Sequence, residues 1–377
     1  PFDVMVHSTG MLVLRAWLSR PGATTARLAR LKHLIALAPA TFGSPLAHKG
    51  RSFLGALVKG RKTLGPDFLE AGDQVLDALE LGGRFAWQLA ETDLFGSQPF
   101  YDRTRDTPWV FVFCGTRGFR GLSAIANEPG TDGTVRWAGC ALDSRKVVLD
   151  LSRECAAADR VRLAAWTHED VPVIPVDGVD HGTILSNPPA DLIAQVCAAL
   201  RITSRTGYAA WQRDMAPSAQ ALRETLTPWQ QFFVRAVDER GDGIADWNLQ
   251  LAWADGNVLR PFTQDVHVYA GDPSYRCFHV NLAKLGEGAA ANAPPQRLSA
   301  EIFASTGTAR VHYRGALAHQ ESLEERGGSW SGTLDLSTVL PDRTLRLFYP
   351  FTTTFVELRL DREPRVGPGM VVRFGTT

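Results

Sequence analysis

The sequence predicts an α/β protein, with a mostly parallel sheet and a helical cap, followed by an all-β sandwich at the C-terminus. Three observations predict this. Apolar runs alternate with helical stretches over residues 1–201, as they do in parallel β-α units. Amphipathic helical pattern replaces that alternation between about Ser44 and Asp102, as an insertion would. After Pro228 the chain changes to short period-2 runs separated by turn residues.

In order, Phe2 to Val6 reads as a strand, His7-Ser8-Thr9-Gly10 as a tight turn, and Met11 to Leu18 as a buried helix closed by Pro21-Gly22. Leu31 to Ala38 and Trp109 to Phe113 are further strands, Val147 to Leu151 and Val161 to Trp166 are expected to follow in the same sheet, and Asp191 to Leu200 closes it as a helix. Residues 202–227 are polar and helix-prone, with Pro217 breaking the pattern, and read as a linker. Phe232 to Val237, Trp247 to Trp253, Asp265 to Tyr269, Cys277 to Leu282, Leu298 to Phe303, Arg310 to Tyr313, Thr344 to Phe348 and Phe355 to Leu360 then make an antiparallel sandwich over 228–377. The expected organisation is thus 1–201 with a cap at about 44–102, a helical linker, and a β domain.

Forty basic residues balance forty acidic ones, which argues against a nucleic-acid surface and leaves binding to local sites. Five cysteines, Cys114, Cys140, Cys155, Cys197 and Cys277, lack metal-ligand spacing and do not form a disulfide framework. No apolar stretch is long enough to span a membrane. Because Pro1 opens directly onto a strand, an upstream segment is expected, and a signal peptide there is not assessable. Gly115, Gly118 and Gly121 follow a strand at the wrong spacing for a dinucleotide fingerprint.

Nucleophilic catalysis by serine needs an imidazole to take the proton, an acid to orient the imidazole, and N–H groups aimed at the oxyanion. Ser8, in Val6-His7-Ser8-Thr9-Gly10, sits at a strand-to-helix turn, although only the last glycine of G-x-S-x-G is present and a helix-capping serine would read alike. Asp132, in Thr131-Asp132-Gly133-Thr134-Val135, lies in a loop beyond a strand, where Asp-Gly also suits a plain turn. His181, in Gly178-Val179-Asp180-His181-Gly182-Thr183, lies between an apolar run and the closing helix. His168 is its nearest rival, read as a surface residue, and His7 is read as a neighbour of the turn. The order Ser, Asp, His is what ties the three together.

With Ala38-Pro39-Ala40-Thr41-Phe42-Gly43-Ser44-Pro45-Leu46-Ala47 added, these segments resemble the lipase and acyltransferase branch of the α/β-hydrolase superfamily, over roughly residues 1–200. The resemblance implies an α/β-hydrolase-type sheet with Ser8 as nucleophile, His181 as general base and acid, Asp132 orienting His181, and the Thr9 N–H in the oxyanion hole. It places the second oxyanion donor upstream of Pro1. Val6 departs from the family at the first elbow glycine. The implied activity is that of a serine esterase, a lipase or phospholipase, needing no metal or organic cofactor; an acyltransferase with the same triad, or a non-catalytic binding protein on this fold, are the alternatives.

The apolar cap, with Phe53, Leu57, Phe68, Leu79, Trp87 and Leu89 among its residues, suits a lipid or ester substrate, although such residues also build a cap's own core. The C-terminal β domain is expected to dock on a membrane surface or a protein. Asp238, Asp242 and Asp246 read as a hairpin turn more readily than as a Ca²⁺ loop.

Overall fold

The computed structural model describes residues 1–22, 24–48, 74–98, 100–101, 106–153, 155–156, 159–163, 171, 173–255, 258–261, 264–285, 297–316, 319–324, 328–336 and 348–364. Four parallel strands, β1 (Phe2–His7), β2 (Leu31–Leu37), β3 (Trp109–Gly115) and β6 (Val173–Val176), form one sheet in the order β1-β2-β3-β6. Every residue of β3 is buried, as a strand covered on both faces requires. Helix α1 (Gly10–Ser19) and α2 (Thr24–Arg30) connect β1 to β2. Short α3 (Pro45–His48), a helical stretch over 74–79 and α4 (Arg84–Asp93) fall in the segment expected to form the cap.

The remaining helices are α5 (Trp137–Cys140), α6 (Thr183–Ser186), α7 (Ala190–Ala199) and α8 (Arg205–Thr225). Helix α8 occupies the segment that the sequence marks as a helical linker with its pattern interrupted at Pro217. It runs through Pro217, is capped by Ser204 Oγ accepting from Gly207 N, and lies on the parallel sheet. The Tyr208 hydroxyl donates to Val110 O at 2.8 Å, the Trp211 ring meets Phe111 edge-on, and Arg223 donates to Val173 O. Tertiary anchors on both sides of the proline outweigh the one hydrogen bond it removes.

A second, seven-stranded sheet has the order β10-β11-β7-β16-β4-β5, with β13 paired to β16. Its members are β4 (Ser144–Asp150), β5 (Val161–Leu163), β7 (Trp229–Asp238), β10 (Gln264–Val268), β11 (Tyr275–Asn281), β13 (Val311–Arg314) and β16 (Thr353–Pro364). The third sheet runs β14 (His319–Glu324), β15 (Ser329–Asp335), β12 (Arg297–Ser305), β8 (Asp246–Asp255) and β9 (Val258–Pro261). Strands β4 and β5 therefore leave the parallel sheet in which the sequence reading placed them. The reason is visible in β4 itself: Ser144-Arg145-Lys146-Val147-Val148-Leu149-Asp150 mixes polar and apolar positions, a pattern that does not suit a strand covered by helices on both faces. Strand β4 pairs in parallel with β16, as β7 does, so the second sheet is mixed rather than antiparallel and is not built from the C-terminal half alone.

The central strands of the seven-stranded sheet, β7, β11 and β16, are buried on both faces. Phe232, Val234, Phe278, Leu149 and Leu358 face Trp247, Ile302, Trp330 and Leu334 of the third sheet. Phe233, Phe355, Tyr275 and Cys277 alternate with them and join the core shared with the parallel sheet. There Phe355 meets Phe42, Trp87 and Phe95 at ring distances of 5.2–5.3 Å. Residues 74–98 thus dock on the second sheet, where Asp77 accepts from the Tyr269 hydroxyl at 2.8 Å and Arg84 pairs with Asp272 at 2.7 Å. Leu79, Leu81, Trp87 and Leu89 are buried in that shared core, while Phe53, Leu54, Leu57, Leu64, Phe68 and Leu69 lie outside the described residues. In the hairpin turn after β7, Asp238 Oδ1 accepts from Arg240 N and Asp242 N.

One fully buried ion pair ties α1 to α4. Arg15 donates from Nε and Nη2 to the two oxygens of Asp93 at 2.7 and 2.8 Å and from Nη1 to Thr41 O, and the Tyr101 hydroxyl donates to Asp93. The paired carboxylate raises the guanidinium pKa further, against the opposing effect of burial. Asp93→Ala leaves that cation unpaired in the core and is expected to cost about 3–5 kcal/mol, read as a lowered midpoint in urea unfolding.

Candidate active site

The strands of the parallel sheet all end on one edge, and Ser8, Asp132 and His181 lie in loops beyond that edge. Ser8 lies between β1 and α1 with φ 55°, a left-handed conformation that a non-glycine residue adopts only under constraint. The constraints are hydrogen bonds: Ser8 N donates to Leu37 O at 3.2 Å, while Ser8 O accepts from Ala40 N and Met11 N. The departure at Val6 is accommodated across the turn. A Cβ on Gly10 would sit 3.3 Å from Val6 Cβ, so the retained glycine makes room for the side chain where the first elbow glycine is missing.

The acid and imidazole loops are fastened to each other. Beyond β3, Thr116 N donates to Val176 O and Arg117 N to Val179 O; a Cβ on Gly115 would lie 2.5 Å from Val179 O, so the two chains approach this closely only at glycine. Asn127 closes the loop between them by accepting from Phe119 N and donating to Phe119 O. Asp132 Oδ1 accepts from Thr134 N and Val135 N, which leaves Oδ2 to the imidazole. On the other loop, Asp180 Oδ1 accepts from Gly182 N and Thr183 N, and Oδ2 pairs with Arg117 at 3.3 Å. These donors hold the Asp180 carboxyl below the usual carboxylate range against the opposing effect of burial.

The structure brings all three predicted side chains together. His181 Nδ1 lies 2.9 Å from Asp132 Oδ2, and His181 Nε2 lies 2.9 Å from Ser8 Oγ. Asp132 is wholly buried. A carboxylate accepts only, so Nδ1 carries the proton and Nε2 is left to accept from the serine hydroxyl. His181 N also donates to Asp132 O at 3.0 Å, fixing the backbones as well as the side chains. Thr9 follows Ser8 and caps α1, with its N–H at the helix's positive end. His168 lies outside the described residues.

His7 has more to do than adjoin the turn. Its Nε2 donates to His181 O at 2.8 Å, and the two rings lie 4.7 Å apart. Burial, and then the neighbouring His181, push the His7 pKa below 6.5. The braces from Arg117, Asn127 and Asp180 were not singled out from sequence. Their one local signal is Asp180 two and three residues before the N–H groups it caps, an Asx-turn spacing. Among the described residues no group of three or more His, Cys, Asp or Glu is placed to hold a metal ion.

Two structures of phospholipase PlaB from Legionella pneumophila, one in complex with thio-NAD, superpose with TM-scores of 0.73 and 0.71 at 20% identity, covering 99% of this chain and 81% of that chain. The chain has the fold of PlaB. No family model matches the sequence. No curated protein matches it either. The match to PlaB spans the second and third sheets as well as the parallel one, so the three sheets together are one shared architecture.

Replacing Ser8 with Gly relieves the left-handed conformation that Ala retains, so Ser8→Gly is expected to be more stable than Ser8→Ala by about 1 kcal/mol in urea unfolding. Strand β11 carries His279, which stacks on Trp229 at 4.3 Å beside Gly130 of the acid loop. Burial, and then Arg136, hold its pKa well below 6.5. The unfolded chain therefore binds a proton below about pH 6.5 that the folded chain refuses, and stability falls with pH from there down to the depressed pKa. His279→Phe keeps the stacking and should flatten that loss by up to about 1.4 kcal/mol per pH unit, measured by unfolding between neutral and acid pH.

Proposed function

We propose that the protein is a serine hydrolase of carboxylic esters, with lipid esters, phospholipids included, as its substrates. The observation that carries this reading is the unbroken chain Ser8 Oγ–His181 Nε2 and His181 Nδ1–Asp132 Oδ2, each link 2.9 Å long. Ser8 attacks the ester carbonyl as His181 takes its proton, and Asp132 steadies the imidazolium that forms. The Thr9 N–H, at the start of α1, donates to the oxyanion. Collapse of the tetrahedral adduct expels the alcohol, protonated by His181, and leaves an acyl group on Ser8; His181 then activates water to release the acid. His7, kept neutral by burial, spares the imidazolium a second positive charge at van der Waals range.

The fold shared with a phospholipase favours lipid over small soluble esters as the natural substrate class. Ser8→Ala is expected to lower ester turnover by about 10⁶-fold and Asp132→Asn by about 10⁴-fold. Both are measured on p-nitrophenyl esters of increasing acyl length and on phospholipid vesicles, with folding checked by circular dichroism. Rising turnover with acyl length, lost in both variants, supports the reading; undiminished turnover in Ser8→Ala overturns it.

A further inference from the structure

Cys114 is the penultimate residue of β3 and Cys140 the last of α5, so the two cysteines, 26 positions apart, bracket the whole loop that carries Asp132. Both are buried, their sulfurs lie 3.4 Å apart, and Cys114 Sγ lies 4.0 Å from Asp132 Oδ2. We propose that Cys114 and Cys140 are a disulfide site, and that oxidation staples the base of the acid loop while leaving Asp132 in place. Bringing two touching sulfurs to bonding distance takes side-chain rotation of little more than an ångström, within the reach of a strand end facing a one-turn helix. The bond would covalently close the loop that β3, the Asn127 brace and α5 otherwise hold through non-covalent contacts. Among the described residues no other cysteine pair is in contact: Cys155 is half-buried, Cys197 is exposed, and Cys277 lies against Arg136 at 3.3 Å.

The chemistry is thiol–disulfide exchange with a small-molecule disulfide such as oxidised glutathione. One cysteine thiolate attacks the glutathione disulfide and releases a glutathione thiolate. The second cysteine thiolate then attacks the protein sulfur of the mixed disulfide and releases another. Two thiols are oxidised to one disulfide, one glutathione disulfide is reduced to two thiols, and the protons pass to the released thiolates. Contact with the Cys140 sulfur, and then burial, push up the pKa of the Cys114 thiol, and burial pushes up that of Cys140, so neither is a ready nucleophile once folded. The exchange therefore belongs to folding, before the loop closes over the pair. None of this depends on the reaction proposed above.

The test is to produce the full chain in hosts with a reducing and with an oxidising cytoplasm. Each protein is alkylated under denaturing conditions, mapped by mass spectrometry, and melted with and without dithiothreitol. In the oxidised protein a linked Cys114–Cys140 peptide is expected, with both residues unalkylated, and a midpoint raised by about 5 °C that dithiothreitol abolishes. Cys140→Ala should show no dithiothreitol-sensitive shift; because each protein is compared with itself, any packing cost of the substitution cancels. Full alkylation of Cys114 and Cys140 from the oxidising host overturns the proposal, as does a linked peptide without a dithiothreitol-sensitive midpoint.

Discussion

The structure turns on the pairing of β16 with two strands at once. Its residues Thr353 to Arg359 run parallel to β4 on one side and to β7 on the other, joining the end of the described chain to its middle. Strand β4 begins four residues after α5, and α5 closes the loop that holds Asp132. Thr353 Oγ1 donates to Ala138 O at 2.9 Å, so the C-terminal strand grips that helix directly. The position of Asp132 is thereby set from one side by β3 of the parallel sheet and from the other by β16. Strand β16, from the C-terminal part of the chain, thus braces the loop that carries Asp132.

Ser8 and His181 depend on a different set of restraints. The left-handed turn at Ser8 is held by β2 and the residues just after it, through Leu37 O and Ala40 N. His181 is held by the Val179 and Asp180 contacts with Arg117 and by His7 on its carbonyl. Three loops from three strand ends meet, each fixed by backbone hydrogen bonds to its neighbour. Backbone bonds between buried chains cannot be given up without leaving orphaned donors in the core, so the geometry is stiff where it has to be. The strain of a positive φ at Ser8 is the local cost of exposing its hydroxyl to His181.

The parallel sheet and the three side chains were legible because their signals are local. Leu31–Leu37 and Trp109–Gly115 are continuous apolar runs, and Ser8, Asp132 and His181 each occupy a turn with its own recognisable residues. What was not legible depends on partners distant in sequence. The residues of β4 read as a strand but not as a partner of β16, which lies some two hundred residues later, because periodicity carries no information about who pairs with whom. Pro217 was read as a break because the anchors that carry α8 across it, Tyr208 on Val110 and Arg223 on Val173, are tertiary. Leu79, Trp87 and Leu89 carry the same amphipathic signal whether a helix covers a ligand or docks on a sheet, and here they dock.

Burial of the central strands β7 and β16 on both faces raises a problem of register that the sequence solves with polar side chains. A strand covered by apolar surface on each side can slip by a residue with little change in hydrophobic burial. Strands β7 and β16 carry Gln230, Gln231, Thr353 and Thr354 at their shared end, all buried. Gln231 Nε2 donates to Thr353 Oγ1 at 3.2 Å and Gln230 Nε2 to Thr354 Oγ1 at 2.9 Å, while Gln230 Oε1 accepts from Tyr349 N at 2.7 Å. A slip of one residue would strand these groups without partners, at a cost of about 1–3 kcal/mol each. The same Thr353 hydroxyl that receives Gln231 donates to α5, so one register selects both the pairing of the sheet and the placement of the acid loop. Polar residues that look misplaced in an apolar strand thus carry the link from sheet register to the position of Asp132.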